Sequence, residues 1–125
     1  SPVFPELRQG FEADMVAAVA LKPHFEQDRA VAYILPDEAW ARRVIGVFAN
    51  RLAVAAPGCA HALLVPNAAG DLTVSVRAPK ARPEGADALC RSFPTGGGRK
   101  AAAGINHLPH SEVGRFLGQL ALAFA

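Results

Sequence analysis

The sequence has few cysteines, little net charge and no long hydrophobic run. Its 125 residues include two cysteines, Cys59 and Cys90, which are too few for the disulfide framework of a small secreted domain. We therefore expect a reduced, cytoplasmic protein. The longest apolar runs, such as Met15–Leu21, are much shorter than the roughly 20 residues that span a bilayer. With no basic segment before that run, the sequence predicts neither a signal peptide nor a membrane partner.

The composition is that of a folded domain. Hydrophobic residues make up 51% of the chain and charged residues 19%, a balance that excludes intrinsic disorder. A chain of this length forms one domain and buries about two thirds of its unfolded surface. Because it opens with Ser1 rather than methionine, we expect it to be a piece of a longer protein.

Charge is unevenly distributed along the chain, although the net charge is only +2. Residues 1–40 hold seven acids and three bases, whereas residues 41–125 hold four acids and ten bases. Six of those bases fall between residues 77 and 100: Arg77, Lys80, Arg82, Arg91, Arg99 and Lys100. Such a local basic field attracts phosphates, and a solvated surface face is the alternative interpretation.

Hydrophobic periodicity predicts an α/β domain with a mixed sheet of about four strands flanked by helices. An N-terminal helix and linker occupy residues 1–29, with Phe11, Met15, Val16 and Val19 at helical spacing. The main domain, residues 30–125, begins with a strand at 30–35 and a helix from the capping residue Asp37 to about Val54. A hairpin over 61–65 and 72–77 follows, then a helix at 86–93, a strand at 101–108 and a last helix from about Ser111.

Three successive glycines, Gly96, Gly97 and Gly98, precede Arg99 and Lys100. Without side chains, their N–H groups can converge on one anion in a concave nest, and the two cations supply charge. The P-loop pattern fails because no Ser or Thr follows Lys100. A dinucleotide-binding fingerprint fails because no strand precedes the loop directly. A flexible surface turn is the remaining alternative.

Two further positions belong with this loop. Gly104 interrupts the following strand, which indicates close approach of a ligand or of another backbone, or else a bulge. Ser75 and Arg77 lie on one face of the strand over residues 72–77, because side chains alternate along a strand. We therefore group both, with Gly104, with the glycine loop as one candidate site.

These segments resemble the C-terminal domain associated with DHH-family phosphoesterases, which include RecJ-like exonucleases, nanoRNases and cyclic-dinucleotide phosphodiesterases. The family pattern is a run of glycines, His, two variable residues and Ala-Ala-Gly. Here Thr95–Asn106 (TGGGRKAAAGIN) matches it except that Arg99 replaces the His. Val74–Pro79 (VSVRAP) and Ala41–Ala53 (ARRVIGVFANRLA) add to the resemblance, which covers roughly residues 30–125.

The resemblance implies a substrate-binding domain that works beside a separate catalytic domain of the same polypeptide. That domain carries Asp and His ligands for divalent metals, Mn or Mg, which activate water. This chain would hold short nucleic acid or a nucleotide through Ser75, Arg77, the glycines, Arg99 and Lys100. Arg99 retains positioning and charge stabilisation but lacks the proton transfer that His would offer. The alternatives are a stand-alone RNA-binding module, like the C-terminal domain of alanyl-tRNA synthetase, and a dinucleotide-binding domain.

Catalytic and metal-ligating patterns are absent from the sequence itself. His24, Glu26 and Asp28 lie in a predicted solvated loop, and Pro109 separates His107 from His110. Cys59 and His61 lack the second pair of a zinc site, and Cys90 fits a core position. We therefore expect no metal bound by this chain, and no catalysis by the isolated chain.

Overall fold

A six-stranded mixed sheet lies at the centre of the fold. The computed structural model describes the backbone of residues 5–125 and the side chains of residue 10 and of residues 12–125, so Phe11 lies outside the described side chains. In chain order the elements are α1 (Pro5–Val19), β1 (Phe25–Gln27), β2 (Ala30–Ile34), α2 (Ala39–Ala55), β3 (Ala60–Pro66), β4 (Leu72–Arg77), α3 (Ala86–Arg91), β5 (Gly96–Gly98), β6 (Ala102–Leu108) and α4 (Val113–Ala123).

The strands lie in the order β1-β2-β3-β4-β6-β5. Strands β2 and β3 pair in parallel, with α2 as the crossover between them, and all other pairs are antiparallel. This confirms the predicted α/β domain with a mixed sheet. The predicted number of about four strands is wrong, because β1 and β5, of three residues each, form the two edges. Such short segments carry no hydrophobic alternation that a sequence pattern could reveal.

The core has two parts, one on each face of the sheet. One face packs against α3 and α4 and buries Val74 and Val76 of β4 with Ala103 and Ile105 of β6. The other packs against α1 and α2, and its buried side chains include Met15, Ala18, Val44, Phe48, Leu63 and Val65. Since Met15 and Ala18 belong to α1, the N-terminal helix packs on the domain it precedes.

The helix α2 begins differently from the prediction. Its N-cap residue is Glu38, without a side-chain capping bond, and Asp37 instead accepts a hydrogen bond from Arg42 Nη1 at 2.9 Å. The last helix buries an apolar stripe of Phe116, Leu117 and Leu120, with Phe124 buried just beyond its end and Val113 half-buried at its start. A 3-10 turn at His110–Glu112 precedes it.

The face that packs under α1 and α2 is only partly covered. Its buried cluster draws on β3 and the region of β2, with no described residue of β4, β5 or β6. Over those three strands the same face stays partly exposed, and we call it the open face. Since Val74, Val76, Ala103 and Ile105 point to the opposite side, alternation puts their neighbours on the open face. Its residues are Thr73, Ser75, Arg77, Gly97, Ala102, Gly104 and Asn106.

Candidate phosphate-binding face

Arg77 and Arg99 flank Ala102 on the open face. Arg77 of β4 pairs with Ala102 of β6, and the N–H of Arg99 donates to the Ala102 carbonyl at 2.9 Å. Residues that pair across neighbouring strands present their side chains on the same face. The sheet register therefore brings together two guanidinium groups from segments that are far apart in sequence.

The two guanidinium groups influence each other electrostatically. The pKa of Arg77 is lowered, first because the side chain is partly buried and second because Arg99 is nearby. Arg77 Nε donates to Asn50 Oδ1 of α2 at 2.9 Å, and its Nη1 donates to its neighbour's carbonyl, Val76 O, at 3.3 Å. A neutral amide thus orients Arg77 without neutralising it, so its charge remains available to a ligand.

A cleft of about 370 Å³ lies at this end of the open face. Lys80 joins Arg77 and Arg99 in its wall, and the neutral residues Asn50, Ala53, Ala78, Pro83, Ala101 and Ala102 complete it. No Asp or Glu of the described chain lines it. Three cations without a carboxylate make a local positive potential, and guanidinium groups bind phosphate through paired, charge-assisted hydrogen bonds.

The glycine segment is a strand rather than a loop. Gly96, Gly97 and Gly98 form β5 at the sheet edge and pair with Ile105, Gly104 and Ala103. The N–H of Gly96 donates to Phe93 O at 3.0 Å, and Asn106 N donates to Thr95 O at 3.2 Å. Hydrogen-bonded and non-hydrogen-bonded pairs alternate along an antiparallel ladder. The Arg99–Ala102 and Thr95–Asn106 bonds therefore make Gly97 and Gly104 a hydrogen-bonded pair, and the Gly97 N–H points to β6. The predicted converging nest is therefore wrong.

Three of the glycines permit close backbone approach. A Cβ at Gly96 would lie 1.7 Å from Cys90 O of α3, and one at Gly104 would lie 2.6 Å from Val74 O of β4. Gly98 has a φ of +141°, and its Cβ would lie 2.5 Å from Ala103 Cα. Of the two predicted roles of Gly104, the approach of another backbone is the one seen. At Gly97 a Cβ would meet nothing within 4 Å.

Ser75 belongs to the next row across the open face. It pairs with Gly104, which pairs with Gly97. In this row only Ser75 carries a side chain, so a ligand could lie close to the backbone beside the two arginines. A hollow of about 350 Å³ borders it, lined by Thr95, Gly96, Gly97, Gly104 and Asn106.

Lys100 lies apart from the other predicted cations. It lines a different cavity, of about 620 Å³, together with Arg29, Glu84 and Phe124. Its carbonyl accepts a hydrogen bond from Ala86 N at 3.0 Å, which ties the β5–β6 turn to α3. Of the other bases between residues 77 and 100, Arg82 and Arg91 pair with the carboxylates of Glu84 and Asp87. The basic segment therefore supplies three cations to the cleft.

The sequence reasoning missed a polar network at the far end of the open face. His107 Nδ1 lies 3.0 Å from Asp71 Oδ1, and Asn67 Nδ2 donates to the same oxygen at 2.6 Å. The hydrogen bond from Asn67 first, and that from His107 second, hold the pKa of Asp71 below its usual value. Thr95 Oγ1 accepts from His107 N at 2.8 Å. No local spacing signals the contacts of His107 with Asp71 and Thr95, or that of Arg77 with Asn50, because these partners come from distant segments.

The remaining candidates from the sequence are the possible metal ligands and the two cysteines. In the part of the chain that the structure describes, no three His, Cys, Asp or Glu side chains group closely enough to hold a metal ion. His61 is buried on the α2 side of the sheet, and its Nδ1 has no hydrogen-bond partner among the residues that the structure describes. Cys59 and Cys90 are free thiols. Burial, and secondarily Asp87, raises the pKa of Cys90 to about 12, as fits the predicted core position.

Within residues 5–125, no helix is both long enough and apolar enough to cross a membrane.

Comparison with known proteins yields no match, either among protein-family models or among curated proteins. The similarity of residues 30–125 to the DHH-associated domain thus remains a prediction from the motifs.

Proposed function

We propose that this chain is the substrate-binding domain of a DHH-family phosphoesterase, and that the open face binds the phosphates of short nucleic acid or of a nucleotide. The observation that carries the proposal is the pair Arg77 and Arg99 on either side of Ala102, with no described Asp or Glu in the cleft they share. Lys80 adds a third positive charge. Ser75 and the bare Gly97–Gly104 row leave room for the rest of the nucleotide.

The proposal assigns binding to this chain and bond cleavage to a catalytic domain of the same polypeptide. Arg77 and Arg99 orient a phosphate through charge-assisted hydrogen bonds, each worth about 1.5–3 kcal/mol. A guanidinium group does not serve as a proton donor or acceptor in catalysis, so the two side chains bind and orient the phosphate without transferring protons. The metal chemistry, Mn or Mg with activated water, belongs to the catalytic domain in this scheme.

We place the protein in the cytoplasm, in keeping with its free cysteines.

The direct test is binding of a 5′-phosphorylated oligonucleotide to the purified chain. We expect Arg99→Ala to weaken binding about 10- to 100-fold, since about 1.4 kcal/mol corresponds to a factor of ten. Arg91→Ala is the matched control, because it removes the same charge from α3, where Arg91 pairs with Asp87 rather than facing the cleft. Equal losses of affinity in the two variants would show that binding depends only on net charge and would contradict the proposal.

A second variant tests the cleft without removing a cation. Asn50→Asp places a carboxylate against Arg77, where the neutral amide now accepts from Nε. We expect thermal stability to be kept and phosphate binding to fall, because the new charge both neutralises Arg77 and repels the ligand. Wild-type affinity in Asn50→Asp would argue that Arg77 does not contact the phosphate.

A further inference from the structure

The fold leaves the glycine at position 97 unexplained. Gly96, Gly98 and Gly104 each permit a close backbone contact, but a Cβ at Gly97 would meet nothing within 4 Å. The φ of Gly97 is not positive, so the backbone conformation does not require glycine either. Glycine inside a strand costs about 0.5–1 kcal/mol relative to alanine. The missing side chain keeps open the hollow between Thr95, Gly104 and Asn106.

This hollow continues the basic cleft along one strand. Ala102 lines the cleft, and Gly104 and Asn106 line the hollow. These are alternate residues of β6 and therefore share a face. The register with β4 shifts between the pairs Val74–Ile105 and Leu72–Leu108, so Asn106 and His107 both lie opposite Thr73 and strict alternation ends there. His107 is about 16 Å along the strand from Ala102, at a rise of about 3.3 Å per residue. A ligand that starts at the arginines and follows β6 must cross the glycine row to reach His107.

His107 is held in a defined orientation at the end of this path. An ionised carboxylate only accepts hydrogen bonds, so the 3.0 Å contact with Asp71 Oδ1 puts the proton of neutral His107 on Nδ1. Asn67 fixes Asp71 in turn, and Thr95 Oγ1 bonds both the N–H and the carbonyl of His107. The imidazole is half exposed, and its Nε2 has no partner among the described residues.

We propose that the open face binds more than one nucleotide of a single strand, and that His107 Nε2 contacts the second or third residue after the phosphate held by Arg77 and Arg99. This inference rests on the proposed function and adds to it the minimum length of the ligand. The ligand is a 5′-phosphorylated single-stranded oligonucleotide lying over Gly97 and Gly104. Neutral Nε2 accepts a hydrogen bond from a hydroxyl or amino group of that residue.

The test is binding of 5′-phosphorylated oligoadenylates of one, two and three residues to the full chain, because each adenylate carries both a 2′-hydroxyl and an amino group. We expect wild type to gain about tenfold in affinity on lengthening the ligand. His107→Asn places an amide N–H where Nδ1 donates to Asp71. The variant therefore keeps the hydrogen bond to Asp71 and lacks Nε2. It should bind the mononucleotide like wild type but lose the gain with length. His110→Asn, in the neighbouring 3-10 turn, is the matched control and should keep the gain.

Imidazole NMR supplies a readout that a structural role would not move. The His107 ring signal should shift with the longer ligands and not with the mononucleotide, while the His110 signal stays constant. A gain with length that survives in His107→Asn would overturn this inference and leave the proposed function intact, provided Arg99→Ala still weakens mononucleotide binding. No binding of any length by wild type would instead contradict the proposed function itself.

Discussion

At the scale of single residues, the glycines divide into two kinds that mutation can separate. Gly104→Ala puts a Cβ 2.6 Å from Val74 O, so β4 and β6 must move apart, and we expect the free energy of unfolding to fall by about 1–3 kcal/mol. Gly97→Ala meets no atom within 4 Å. It should leave stability unchanged or raise it by up to about 1 kcal/mol, yet weaken oligonucleotide binding. Denaturant unfolding and a binding titration measure the two effects.

The comparison within this pair is decisive because both changes add one methyl group to the same row. Should Gly97→Ala bind oligonucleotides as tightly as wild type, the space above Gly97 would not belong to the ligand. Should Gly104→Ala be as stable as wild type, the close approach of β4 and β6 would be easily relaxed.

A second prediction at this scale concerns how stability depends on pH through His61. Its side chain is buried, its Nδ1 has no hydrogen-bond partner in the described part of the chain, and burial lowers its pKa below the ordinary 6.5. The unfolded chain therefore binds a proton at a higher pH than the folded chain. Stability is complete above about pH 6.5 and is lost as the pH falls below it, at up to about 1.4 kcal/mol per pH unit. In His61→Leu this part of the pH dependence should disappear, as followed by denaturant unfolding from pH 8 to pH 5. An identical pH profile in both proteins would refute it.

At the scale of helices and strands, predictability follows side-chain pattern. Strand β4 alternates apolar and polar residues and α4 carries an apolar stripe, so both are evident from the sequence. Strand β5 has no side chains to form a pattern. Its glycines stand out in the sequence as a motif but not as a strand, because their pairing depends on how closely α3 and β6 approach.

The candidate site can likewise be predicted from the sequence only where the pattern is local. That Ser75 and Arg77 share a face is a local property of one strand and can be predicted. That Arg99 lies beside Arg77 depends on the register of three strands, because both residues pair with Ala102. The separation of Lys100 from Arg99 likewise follows from the tight turn between β5 and β6, which sends adjacent side chains to different cavities. Sequence proximity is a poor guide at a turn, and strand register is a good one.

At the scale of the whole molecule, the charge arrangement predicts a shallow dependence of binding on salt. The net charge of +2 gives little long-range attraction, and the cleft offers three cations, Arg77, Lys80 and Arg99. For single strands, the logarithm of affinity falls with the logarithm of salt concentration with a slope of about −0.7 per phosphate neutralised. Three contacts therefore give a slope of about −2 for a labelled single strand of about a dozen residues.

Arg99→Ala should reduce this slope by about 0.7, whereas Arg91→Ala should leave it unchanged, because Arg91 already pairs with Asp87. Fluorescence anisotropy over a range of salt concentrations measures both values. A wild-type slope twice as steep would place phosphates on cations outside the cleft, such as Arg29 and Lys100 of the other cavity. A slope near zero would mean that binding does not depend on phosphate charge, and the guanidinium pair would then lose the role assigned to it.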